Sequence, residues 1–186
     1  MSKYVDIPSV CEHFPNRIEV PHRLLELLEW FHETINDEAG WFPEFVGNSL
    51  HGYCSPIDIS PYFGTFNSLG DGSVLAYWYY EGCNVQAPPI VILGSEGDVG
   101  IAASSIEEFV ARLLRGRFPS PHAVWATRLL NFYLCSDYSW LEQLEAWAGQ
   151  YWNLTSQTIQ ELISSSPEEN HPNLQEWMDR KFNSQN

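Results

Sequence analysis

The chain has 186 residues with 24 Asp and Glu against 9 Lys and Arg, a formal net charge of −15, 44% hydrophobic residues and eight tryptophans. A polyanion cannot gain the counterion release that drives phosphate binding, so nucleic acid and anionic membrane are excluded as partners, and encounter with basic proteins is favoured. Cys11, Cys54, Cys83 and Cys135 form no CxxC pair, no apolar run reaches membrane-spanning length and the first residues show no basic-then-apolar leader, which together predict a cytoplasmic chain needing no disulfide or metal staple.

Residues 1–19 read as an irregular lead-in. From Pro21 the pattern changes: Leu24, Leu27, Leu28, Phe31 and Ile35 form one helical stripe, closed by the turn residues Asn36 to Gly40. Between Trp41 and Ser68 the chain is broken by Pro43, Gly47, Gly52, Pro56, Pro61 and Gly64, with short apolar pieces such as Ile57 to Ile59 and Tyr62 to Phe66 between them. That spacing predicts an antiparallel meander. Gly70-Asp71-Gly72 is a tight turn, and Val74 to Tyr80 is a strand by its aromatic and β-branched content. Ile90 to Leu93 has no polar residue, which marks a central strand buried on both faces, and Val99 to Ala102 supplies one more.

Helix follows. Ser105 and Glu108 form a capping box ahead of Ile106, Phe109, Val110, Leu113 and Leu114, with Gly116 as the stop. A Pro-rich link, Phe118 to Pro121, leads to a helical region from Ala123 to Cys135. Ser139 with Glu142 and Ser166 with Glu169 mark further helix starts, and Leu174, Trp177, Met178 and Phe182 line the last helix. Grouped strands followed by grouped helices indicate an α+β fold: an antiparallel sheet of five or six short strands, with the N-terminal and C-terminal helices packed on one face and around its edge. The chain is read as a single domain, 1–186, with 120–186 as a helical C-terminal extension.

Three stretches carry a family likeness. Gly70-Asp71-Gly72-Ser73-Val74-Leu75-Ala76-Tyr77-Trp78 joins a Gly-Asp-Gly turn to an aromatic strand. Pro89-Ile90-Val91-Ile92-Leu93-Gly94-Ser95-Glu96-Gly97 is a strand and turn, and Ile101 to Val110 is a strand-to-helix junction. In this order and spacing they resemble the SUKH (SMI1/KNR4-like) superfamily of immunity and regulatory proteins, over less than a third of the chain. The resemblance implies a protein-binding domain and no enzyme, with a basic toxin domain of a bacterial polymorphic toxin system as the expected partner. The alternative is a regulatory scaffold for a non-toxin partner.

Ser95-Glu96-Gly97-Asp98 places two carboxylates in a glycine-bracketed turn. General acid/base chemistry, a cation site and a small hydrolase using Glu96 and Asp98 with a nearby histidine are the catalytic readings. The structural reading, in which the glycines take positive φ and Glu96 accepts backbone amides, is the favoured one. His13, His22, His32, His51, His122 and His171 never recur at the i, i+4 spacing of a helical metal pair, so no metal or cofactor is expected. In the tandem Trp78-Tyr79-Tyr80, alternation directs one ring to the core and another outward. Asp71, Tyr79, Glu81, Glu96 and Asp98 are therefore the candidate partner contacts around the sheet's turns.

Overall fold

Alternation along two strands, β2 (Val74–Trp78) and β3 (Ile90–Leu93), sets the centre of the fold, because every residue in both is buried. Leu75, Tyr77, Ile90 and Ile92 point into one apolar cluster, and Ala76, Trp78, Val91 and Leu93 into a second on the opposite face. The computed structural model describes residues 5–15, 18–34, 44–50, 58–69, 72–115 and 139–183. Among these, β1 (Phe63–Ser68), β2, β3 and β4 (Val99–Ala103) form one antiparallel meander in the order β1-β2-β3-β4.

The sheet thus has four strands among the described residues, not five or six. Asp58 and Ile59 lead into a single 3₁₀ turn, Ser60–Tyr62, in place of a strand. Glu44 makes only an isolated bridge to Ser68, and Val5 one to Phe45. Proline at the start of the 3₁₀ turn favours a tight bend over continued pairing. Thr65 Oγ1 accepts from Asn48 N (2.7 Å) and donates to Asn48 O (2.9 Å), which ties the segment at Asn48 to β1.

The helices cover both faces, which corrects the expectation of one. Helix α1 (Ile7–Glu12) lies within the supposed irregular lead-in; Asp6 Oδ1 caps it by accepting from Ser9 N at 3.0 Å. Helix α2 (His22–Thr34) buries Leu24, Leu27, Leu28 and Phe31 as the stripe predicts, and adds Trp30. Helix α3 (Ile106–Arg115), α4 (Ser139–Trp152) and α5 (Ser156–Leu162) complete that face with Phe109, Trp140, Leu144 and Ile159. The opposite face is closed by Leu50, Ile59 and the final helix, α6 (Leu174–Asn183), through Leu174, Trp177 and Met178. The described helices of the expected C-terminal extension therefore supply side chains to both cores. Ile35, Gly116 and the region expected to be helical from Ala123 to Cys135 lie outside the described residues, as do the side chains of Ser139 and Phe182.

The box at Ser105 forms: Ser105 Oγ accepts from Glu108 N (3.1 Å), and Glu108 Oε2 reaches back to Ser104 N (2.8 Å). The pair Ser166 and Glu169 opens only a 3₁₀ turn, Pro167–Asn170, with no side-chain cap. The last helix is instead capped by Asn173 Oδ1, which accepts from Glu176 N at 2.9 Å. Glu108 is also half of a buried ion pair. Its Oε1 accepts from Arg112 Nε at 2.7 Å, and Arg112 Nη2 donates to Ser165 O at 2.6 Å.

Removing one partner of a buried pair strands the other charge, so Arg112→Ala is expected to lower the unfolding free energy by about 3–5 kcal/mol. Replacing both charges with leucine is expected to cost clearly less than Arg112→Ala alone. Urea unfolding of the two variants checks this ordering, and a double variant that is the less stable of the two contradicts it.

Candidate partner-binding groove

Three separate stretches meet around a cavity of about 1090 Å³: the extended segment leading into α2, the loop from Val85 to Pro88 and the first turn of α3. Ile18, Val20, Leu25, Ile106 and Val85 give it apolar walls, and Glu19, Arg23 and Glu107 line it with charge. Tyr77 also lines it, with a buried hydroxyl that finds no hydrogen-bond partner among the described residues. Burial pushes the Tyr77 phenol well above its ordinary pKa, and Tyr79 and Glu107 push it further the same way.

Arg23 organises one wall. Its Nη1 lies 3.3 Å from Glu26 Oε2, its Nε 3.6 Å from Glu107 Oε1, and its guanidinium 5.2 Å from the Trp152 ring centre. Trp152 Nε1 donates to Glu26 Oε2 at 2.9 Å. These ion pairs are part-exposed, so each is worth no more than about 1 kcal/mol. Their role is to orient: they tie α2, α3 and α4 together at the groove.

The five residues expected at the partner surface are not brought together. Asp71 lies outside the described residues. Tyr79 is only 7% exposed; its ring packs on Phe14 (6.5 Å) in the core, which corrects its expected place on the surface. Trp78 is also buried, and Tyr80, half-buried, hydrogen-bonds His171 Nδ1 at 3.2 Å. Because helices cover both faces, no ring of the tandem is left as an open anchor.

Glu81 serves an internal clamp. It pairs with Lys181, accepts from Trp177 Nε1 at 3.0 Å, and thereby holds α6 to the end of β2. Lys181 also lies 4.9 Å over the Tyr62 ring and 5.6 Å over that of Trp177. Glu96 and Asp98 sit at the other end of the sheet, in the β3–β4 turn. Only Gly97 there takes positive φ (+89°); Gly94 is needed because a Cβ would meet Asp98 Oδ1 at 2.3 Å. Asp98, not Glu96, is the carboxylate packed into the turn. Among the described histidines, His13 bonds Ser9 O, His22 pairs with Glu26, His171 bonds Tyr80, and His32 sits in the last turn of α2. Among the described residues no cluster of three His, Cys, Asp or Glu is placed to hold a metal, and no helix is long and apolar enough to cross a membrane.

The groove went unnoticed in the sequence because its walls are far apart in the chain. One local signal was present: Val85, a lone aliphatic residue in the polar turn Asn84-Val85-Gln86, with no strand to bury it. In comparisons with known proteins, no family model, no curated protein and no solved structure matches the chain.

The Glu81 clamp has a pH signature. Hydrogen bonds from Lys181 and then Trp177 hold its carboxyl at about 2, against an ordinary 4.5. The unfolded chain therefore takes up this proton at a higher pH than the folded one. The clamp's contribution is complete above about 4.5 and is lost as pH falls toward 2. The side chain is 62% exposed, so salt weakens the effect. The stability gap between the parent and Glu81→Gln, from urea midpoints at low salt, is expected to be larger at neutral pH than in acid. A gap independent of pH contradicts the clamp.

Proposed function

We propose that the chain is a cytoplasmic, non-enzymatic protein-binding domain whose partner is basic. By its likeness to the SUKH superfamily, that partner is a toxin domain of a bacterial polymorphic toxin system, which this chain neutralises. The observation that carries the reading is where the positive charge goes. Arg23 pairs with Glu26 and Glu107, Arg112 with Glu108, Arg115 with Glu145 and Lys181 with Glu81. Four of the nine cations are thus held by carboxylates of the chain itself, and the 24 Asp and Glu leave a surplus behind the net charge of −15 to face solvent or a partner. Such a field accelerates encounter with a basic surface and repels polyanions.

A nuclease toxin must expose a basic cleft to hold its phosphate backbone. An acidic domain that covers this cleft blocks catalysis without doing chemistry itself. The test is titration of the purified chain with the basic toxin domain encoded beside it, at low and high salt. Tight binding is expected, with an association rate that falls about tenfold or more as salt rises past the screening range. Absence of binding, or a rate indifferent to salt, overturns the reading.

A further inference from the structure

We propose that the groove between the entry to α2, the Val85–Pro88 loop and the first turn of α3 seats a short basic segment of the protein partner. One apolar side chain of that segment inserts beside Val85 and Ile106, and flanking Lys or Arg side chains meet Glu19 and Glu107. This inference rests on the protein-binding reading above and names the surface and the chemistry of its occupant.

Two independent observations converge on this place. The large hydrophobic side chains most exposed among the described residues are Val85 (53%) and Tyr151 (61%). Of these, Val85 lines the groove, beside Ile18, Val20, Leu25 and Ile106. An exposed apolar side chain at the rim of an apolar-walled concavity marks an interaction site more strongly than a scattered single residue does. The second observation is charge. Glu19 is exposed and bonds no described residue, while Glu107 shares Arg23 with Glu26 over a loose 3.6 Å contact. An incoming cation therefore finds one carboxylate that no described residue neutralises and one only partly neutralised, beside apolar walls.

The site is also built before the partner arrives. Trp147 packs on Trp152 (5.0 Å) and on Tyr151 (5.9 Å), and Trp152 supports Arg23 from beneath. Arg23, which lines the groove, is thereby held in place from behind; a pre-placed arginine loses little entropy on binding and is a usual member of interface hot spots. At about 1090 Å³ the groove is at or beyond the upper end of small-molecule sites, which span about 300–1,000 Å³. Its inner polar group, the Tyr77 hydroxyl, is too buried to orient a small ligand. Size and the acidic rim both favour a peptide segment.

The test uses the full chain and two probes in NMR titration: a 12-residue lysine-rich peptide with two central leucines, and an oligolysine of equal charge. The leucine-bearing peptide is expected to shift amides at 18–25, 85–88 and 105–107, and to bind at least about fivefold tighter than oligolysine. Val85→Ser and Glu19→Lys, both at exposed positions, are each expected to weaken it by a similar factor. Three results overturn the proposal: shifts centred on 94–98 or 168–175, equal affinity for the two probes, or no binding of the leucine-bearing peptide up to about 1 mM. If any of these occurs while the toxin domain still binds, the groove assignment fails and the protein-binding reading stands. If neither the peptides nor the toxin domain binds, both fail.

Discussion

Glu108 and Arg112 are one turn apart on α3, and both are withdrawn from water. A buried charge pair is tolerated only when geometry and further hydrogen bonds replace the lost hydration. Here one further bond is local and one comes from a distant stretch. Ser104 N, at the end of β4, donates to Glu108, and Ser165 O, just past α5, accepts from Arg112. Ser165 lies where the chain leaves the core formed by α2 to α5 and starts toward the core formed by α6. That passage runs along β4, the last strand of the sheet, where the 3₁₀ turn Pro167–Asn170 packs. An edge strand invites pairing with other chains unless something covers it. The ion pair thus fixes the strand-to-helix junction and also the path of the segment beside the edge.

With that passage fixed, α6 can lie on the second face, and the sheet becomes a layer between two covers. Trp78 is buried against Trp177 at 5.3 Å, and Phe63 against the same ring at 6.0 Å. Glu81 and Lys181 then hold the helix from its solvent side. The consequence for function is geometric. A partner cannot dock on either sheet face, so it must meet the outer surface of the helices and loops. There the described residues offer a groove whose exposed apolar and acidic groups are not consumed by the fold.

Much of the fold was legible in the residues themselves. Ile90 to Leu93 carries no polar side chain because both its faces are core, and Ser105 caps α3 as the spacing predicts, with Glu108 reaching back one residue further, to Ser104 N. The box at Ser166 misleads because Pro167 and the three residues after it form only a single 3₁₀ turn; the local pattern does not reveal that the chain must bend there to change faces. Alternation with one wet face puts Tyr79 at the surface, yet it shares the face of Leu75 and Tyr77, where Phe14 packs on its ring. That contact joins distant parts of the chain and leaves no local trace. Of the candidate site less was legible. Glu81 was visible as a carboxylate beside aromatics, but its partner Lys181 is 100 residues away. The groove itself unites positions near 20, 85 and 106 that share no motif.

The central physical claim is that the segment pinned by Arg112 makes the C-terminal helices part of one cooperative fold. Native-state hydrogen exchange at low denaturant tests it directly. The amides of Ile159 and Trp177 are both hydrogen-bonded within or at the start of their helices. Their opening free energies are expected to match those of Leu75 and Ile92 in the sheet to within about 1 kcal/mol. Openings several kcal/mol easier at Ile159 and Trp177, with the sheet still protected, would contradict it: α5 and α6 would then be an appendage that the ion pair does not bind to the core.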